Sequence, residues 1–263
     1  MKKLLTLALV IFLTMRINAQ EKPQQLYLLF EFMQVSAEHG SDYMAVEDFW
    51  SAIHKQRIAD KQIIGWDLWS LTPSGTKQGS QYFTVTVFPS LQAMMEAATS
   101  WDAMATAKKA YPKMTDKDLN AMFDKTAKSR DLAHQVFFKQ VDKTKGNFQM
   151  QVGTFATLDI MKQLDDSYEK AESEIFKPWH QDMVDKGKKG SWELLEAILP
   201  AGSEAYGTHV TVSMFKDLPQ LTAFLEASSG DTPDLKTQIA IKDGFKTREW
   251  KEMKIAKLER MIR

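Results

Sequence analysis

Hydrophobic and polar positions follow the same succession of periodicities in the two halves of the chain. β-branched and aromatic runs predict strands, and apolar positions at helical spacing predict helices. In the first half this pattern predicts strand 27–35, helix 42–61, strands 65–71 and 81–88, and helix 91–99. In the second half it predicts strand 148–155, helix 165–186, strands 191–199 and 208–215, and helix 218–227. Residues 101–133 and 232–246 are polar helical connectors, and 135–141 and 251–258 are each a last strand or the end of a helix.

The residues themselves repeat together with the pattern. His54 and His180 stand 126 positions apart, and the same separation aligns Trp66 with Trp192 and Asp67 with Glu193. After a one-residue gap, 84–88 aligns with 211–215, and near each end 128–131 aligns with 246–249. Because the matched blocks keep their order, the chain is an internal duplication.

Strand, helix, two strands, helix and a final strand is the order of a ferredoxin-like module. One such module leaves a sheet face uncovered, and a second copy in the same chain can cover it. The sequence therefore resembles the dimeric α+β barrel superfamily. The expected fold is α+β, with tandem ferredoxin-like modules at 24–142 and 147–263 packed sheet to sheet as a pseudo-dimeric α+β barrel. An internal pseudo-dimer favours a monomer over an obligate oligomer.

The first 19 residues have the pattern of a signal peptide, with Lys2 and Lys3 before a twelve-residue apolar run and Ala19 at the end. A membrane span needs about 20 residues of helix, so the run predicts export to the periplasm or the cell exterior, without a membrane anchor after cleavage. Removing this segment leaves 31 basic against 34 acidic side chains. Such a balance argues against nucleic-acid binding, and the absence of cysteine excludes disulfides and thiolate chemistry.

Motifs that identify common enzymes by their spacing are absent: the nucleophile elbow, His-Glu-x-x-His, the phosphate-binding glycine loop, the dinucleotide fingerprint and the calcium loop. The sequence thus assigns no catalytic residue, cofactor or metal. His54 and His180 lie on the apolar stripe of the first helix of each half. Each imidazole is a candidate base, ligand to haem or a metal, or hydrogen-bond donor to a bound molecule, or else a core histidine bonded to the backbone.

Two further repeated pairs are candidate ligand-binding residues. Trp66 and Trp192 begin the second strand of each half and could line a pocket or belong to the core. Arg130 and Arg248 could bind a carboxylate, or could pair with Asp131 and Glu249 or with a neighbouring helix.

Three functions follow as expectations. The first is an exported protein that binds a small, largely apolar molecule between sheet and helices. The resemblance implies the second, a cofactor-free oxygenase or a haem-binding or haem-degrading enzyme that uses His54 or His180. The third is a structural or interaction scaffold without a pocket. The architecture alone does not decide among them, and whether the protein is an enzyme stays open at this point.

Overall fold

The computed structural model describes residues 25–75, 77–227 and 234–263. The predicted signal peptide lies outside the described residues. Within them, no helix has the length and hydropathy that crossing a membrane would require.

Eight strands form one antiparallel sheet that closes into a barrel in the order β1-β3-β2-β8-β5-β7-β6-β4. The first half contributes β1 (Tyr27–Gln34), β2 (Gly65–Thr72), β3 (Tyr82–Phe88) and β4 (Asp131–Lys143). The second half contributes β5 (Phe155–Gln163), β6 (Ser191–Leu199), β7 (His209–Phe215) and β8 (Arg248–Ile262).

Helices cover the outside of the barrel. They are α1 (Gly40–Ala59), α2 (Leu91–Ser100), α3 (Ala103–Ala110), α4 (Asp116–Ser129), α5 (Tyr168–Ala171), α6 (Lys177–Asp185), α7 (Leu218–Glu226) and α8 (Leu235–Lys246). A π-helical turn, Glu172–Phe176, joins α5 to α6. Five of these helices begin at a side chain that accepts a backbone N–H, as N-capping residues do: Ser90, Asp102, Thr115, Asp217 and Asp234.

The predicted fold class, two modules packed sheet to sheet, is wrong. The last strand of each half is long, 13 residues in β4 and 15 in β8, and pairs on both sides. β4 pairs with β1 and with β6 of the other half, and β8 pairs with β5 and with β2. These two inter-half pairings leave no free sheet edge, so the halves share one closed barrel instead of facing each other as separate sheets.

Side chains alternate between the barrel interior and the helix-covered exterior, as the strand period requires. All eight strands contribute to one interior apolar cluster, which includes Phe30, Trp69, Phe83, Leu158 and Leu258. Separate clusters form beneath the helices of each half.

The strand predicted over 148–155 is wrong, because β5 begins only at Phe155. Gly153 has a φ of +96°, and Thr154 donates its backbone N–H to the Gln151 carbonyl, so a turn interrupts the predicted strand. The connector 101–133 is helical as far as Ser129. The segments 135–141 and 251–258, left open between strand and helix, lie within β4 and β8.

The π-helical turn accommodates one additional residue in the second half. Tyr43 and Glu47 of α1 correspond to Tyr168 and Glu172 at a separation of 125, whereas His54 corresponds to His180 at 126. All of these side chains pack inward, and the wider π turn lets the second half keep both groups on one face despite the extra residue. Pro178 lies in the first turn of α6, directly after the π turn.

We expect deletion of Ser173 combined with Pro178→Ala to be tolerated. The deletion gives Glu172 and His180 the spacing that Glu47 and His54 have in α1, and the substitution introduces the alanine that α1 has at Ala52. A continuous α-helix then presents the same inward face. Deletion of Asp48 from α1 is the matched control. It rotates Glu47 by about 100° relative to His54 and should cost about 3 kcal/mol or more, because a buried ion pair is broken. Urea denaturation followed by circular dichroism measures both, and equal destabilisation by the two deletions would contradict this account of the π turn.

Candidate functional site

The barrel encloses a cavity of about 240 Å³ at one end. Apolar side chains from both halves line most of it: Leu26, Leu28, Phe30, Ile64, Trp69, Phe83, Val85, Val87, Met150, Ala156, Leu158, Leu195, Val212 and Met214. A second pocket of about 350 Å³ lies at its mouth and shares Lys143, Met150, Glu193, Met214 and Arg263 with it. An apolar, concave space with few polar groups is the usual form of a small-molecule site.

Two carboxylates at repeat-equivalent positions form the polar end of this cavity. Asp67 of β2 accepts two hydrogen bonds from the Arg263 guanidinium, at 2.7 and 3.0 Å. Glu193 of β6 accepts one from Gln140 Nε2 at 2.7 Å. Burial raises the pKa of both carboxyls, against the opposing effect of Arg263 on Asp67 and of Gln140 and Lys143 on Glu193. The cavity therefore has an apolar body and one end with hydrogen-bonding groups.

The two predicted histidines lie outside this cavity, in the layer between helix and barrel. The His54 ring stacks on Trp66 with centroids 4.8 Å apart, and the His180 ring stacks on Trp192 at 4.9 Å. Both tryptophans are almost fully buried. Neither histidine and neither tryptophan is among the residues that line the barrel cavity or its mouth. Their predicted part in ligand binding stays a prediction.

A cation reaches Nδ1 of each imidazole, but from a different sequence position in each half. Arg57 approaches His54 Nδ1 at 3.4 Å, and Lys189 approaches His180 Nδ1 at 2.8 Å. The first half has Ile63 where the second has Lys189, and the second half has Met183 where the first has Arg57. A charged guanidinium or ammonium can only donate, so in that state each Nδ1 accepts and each imidazole is neutral with its hydrogen on Nε2.

The electrostatics of this layer oppose protonation of both imidazoles. Burial, followed by the nearby Arg57 charge, lowers the pKa of His54 well below its ordinary value. Burial and Lys189 lower the pKa of His180 to about 2. Burial also lowers the pKa of Lys189 to about 7. A general base that works near neutral pH needs a pKa close to 7, so the geometry favours a structural role for these rings.

Arg130 and Arg248 each pair with a neighbouring helical segment, which was one of the alternatives that the sequence left open. Arg130 Nε lies 3.6 Å from Glu47 Oε1, and Arg248 pairs with Glu172. Both glutamates are about 1% exposed. Burial raises the pKa of Glu47 to about 7, against the opposing charge of Arg130. These arginines compensate buried carboxylates and lie away from the barrel cavity.

The residues at the polar end of the cavity were not selected from the sequence. The sequence repeat aligns Asp67 with Glu193 but assigns no role to either residue. The signal was the strand period: if Trp66 and Trp192 face the helices, the next residue faces the barrel interior. Gln140 and Arg263 had no signal of this kind. The segment 135–141 was left open between strand and helix, and the segment 251–258 ends before Arg263.

The resemblance implies a haem group, for which His54 or His180 would be the axial ligand. An axial imidazole must present a free nitrogen to an open cavity. The ring of His54 lies among Trp50, Trp66 and Trp101, and its Nδ1 faces Arg57. The ring of His180 lies between Trp179 and Trp192, and its Nδ1 faces Lys189. In this arrangement neither histidine is suited to be an axial ligand of haem.

No family model and no curated protein matches this chain. Solved structures of the same fold do match. A candidate monooxygenase from Fusobacterium nucleatum is 10% identical with a TM-score of 0.55, over 90% of this chain and 93% of that one. A candidate monooxygenase from Lactobacillus acidophilus is 10% identical with a TM-score of 0.54, over 90% and 95%. A chlorite dismutase variant from Candidatus Nitrospira defluvii is 10% identical with a TM-score of 0.51, over 89% and 92%.

These neighbours belong to the dimeric α+β barrel superfamily that the sequence resembles. At about 10% identity the similarity shows the fold alone, and no individual member is identified.

We expect His180→Gln to flatten the loss of stability in acid. The folded-state pKa of about 2 lies below the ordinary value of 6.5, so the unfolded chain binds the extra proton between these limits. The free energy of unfolding therefore falls as the pH drops below 6.5, by up to about 1.4 kcal/mol per pH unit for this group. Glutamine keeps an oxygen that accepts from Lys189. Urea titrations from pH 8 to pH 4.5 measure the slopes, and parallel profiles for the two proteins would disprove the neutral, buried imidazole.

Proposed function

We propose that this protein binds a small, largely apolar molecule inside the barrel. One observation carries the proposal: an apolar cavity of about 240 Å³ ends at hydrogen-bonding side chains and opens through a wider mouth. The site differs from the expected one between sheet and helices, where aromatic rings and buried ion pairs fill the space around the predicted residues. The expected scaffold without a pocket does not fit this cavity.

The polar end indicates what the bound molecule carries. Arg263 and Gln140 are engaged with Asp67 and Glu193, and Lys143 lines the same end. A ligand therefore meets two carboxyls whose pKa values burial raises, with one lysine nearby. A hydroxyl or amine at one end of an apolar body can donate to such a carboxyl without leaving it unpaired. An apolar molecule with one such group suits the cavity better than a polyanion does.

The alternative is a cofactor-free oxygenase or a haem protein that uses His54 or His180. Similarity of fold to candidate monooxygenases supports it at the level of the fold. A Soret band in the purified protein identifies a haem protein, and oxygen consumption without a Soret band identifies a cofactor-free oxygenase. A colourless protein that consumes no oxygen and carries co-purified organic mass in a native mass spectrum supports the binder.

Val212→Phe tests the barrel site, and Val210→Phe is its matched control. Both valines lie in β7 and face the barrel interior, but only Val212 lines the cavity. We expect Val212→Phe to narrow the cavity, to weaken binding of the fluorescent apolar probe N-phenyl-1-naphthylamine and to preserve the fold. Val210→Phe has no such space, so it should retain binding and lose about 1–3 kcal/mol of stability through overpacking.

Probe fluorescence and urea denaturation of both variants supply the measurements. Unchanged probe binding in a folded Val212→Phe protein would place the ligand elsewhere.

A further inference from the structure

Three side chains with metal-binding atoms meet on the outer face of the second half. Glu169 of α5, Glu196 of β6 and His209 of β7 place one ligand atom each within 4.8 Å of one another. His209 Nε2 lies 3.2 Å from Glu169 Oε1, close to the spacing of about 3.3 Å between two ligands of a tetrahedral zinc ion. The His209 side chain is 2% exposed, whereas Glu169 and Glu196 are partly open to solvent at 40% and 31%.

The first half has the same framework without the ligands. Ser70 pairs with Tyr82 in its hairpin as Glu196 pairs with His209, and Met44 takes the place of Glu169. Tyr82 packs against Tyr43 with centroids 4.7 Å apart, and His209 packs on Tyr168 at the same distance. Packing at this position therefore does not require histidine or either glutamate. Among the described residues, the three ligands occur together in the second half only.

Thr208 supports His209 in the way that metal-bound histidines are usually supported. Its Oγ1 lies 2.9 Å from His209 Nδ1 and accepts the Gln163 backbone N–H at 2.8 Å. With a second lone pair, the hydroxyl can accept the Nδ1 hydrogen and leave Nε2 free to bind a metal. Without a metal, the same hydroxyl donates to Nδ1 and Nε2–H donates to Glu169.

One cation competes for this cluster. Lys139 of β4 pairs with Glu196. Lys257 of β8 holds the corresponding position beside Ser70 and pairs with Glu259. The lysine is therefore common to both halves, while its Glu196 partner is not. A metal bound at the cluster has to displace this ammonium from one carboxylate oxygen or share the carboxylate with it.

We propose that Glu169, Glu196 and His209 form a binding site for a divalent transition metal, with Zn²⁺ as the best match. One imidazole and two carboxylates suit Zn²⁺ better than Ca²⁺ or Mg²⁺, which prefer oxygen ligands alone. Three protein ligands leave a fourth position for water or another ligand, the arrangement of an open zinc site. The ion would also connect α5 to the β6–β7 hairpin.

Titration calorimetry of ZnCl₂ into the metal-free full chain tests the site. We expect one Zn²⁺ per chain and a higher melting temperature with Zn²⁺. His209→Tyr, which introduces the first-half side chain, and Glu196→Gln should each weaken binding about tenfold or more. Lys139→Gln should tighten binding severalfold, because it removes the competing charge. Glu259→Gln, at the corresponding pair of the first half, should leave binding unchanged.

The direction of the Lys139→Gln effect separates this site from adventitious binding at other histidines. Absence of binding by the folded wild-type chain would overturn the proposal. So would equal affinity in folded His209→Tyr or Glu196→Gln protein, or weaker binding by Lys139→Gln. Circular dichroism of each variant establishes that it is folded.

Discussion

Closure of the barrel through two pairings between the halves is the constraint on which the other features depend. β4 pairs with β6 and β8 pairs with β2, so every strand has two hydrogen-bonded neighbours. A sheet with no edge exposes no unpaired backbone groups, and its inward side chains form a single core. The cavity exists for the same reason, because strands of both halves contribute its wall. Asp67 and Glu193 line its polar end from different halves, and Arg263 and Gln140 donate hydrogen bonds to them there.

The two halves share equivalent interactions even where the residues that make them differ. Each half stacks a neutral histidine on a buried tryptophan and supplies a cation to Nδ1, yet the cation is Arg57 in one half and Lys189 in the other. Each half buries a glutamate against an arginine of its last strand or the residue before it. A π turn preserves that geometry where the second half has one residue more. Conversely, Glu169, Glu196 and His209 have no counterparts in the first half, which is why they indicate a property of the second half alone.

Local structure was predictable where one periodicity dominates a segment. The helix and hairpin of each half, and the first strand of the first half, follow from alternation and from apolar stripes. The repeat was visible through His54, Trp66 and their partners. The start of β5 was misplaced because an apolar run continues into a turn at Gly153, and the strand period does not register a turn. The predicted fold class was wrong because it depends on which strands pair with β4 and β8, and these partners are distant in the chain. Strand length and register set this pairing, and neither can be read from one sequence. The cavity was missed for the same reason, since its lining residues come from strands distant in the chain.

Hydrogen exchange at the two inter-half pairings tests the closed barrel most directly. In a closed barrel, amides of β4 that face β6 and amides of β8 that face β2 are hydrogen-bonded within the core of the sheet. They should exchange as slowly as amides of the β1–β3 and β5–β7 pairs, with the free energy of global unfolding as the limit. Two separate sheets would leave these strands as open edges. Exchange of the inter-half amides orders of magnitude faster than that of the intra-half amides would contradict the closed barrel and the cavity within it.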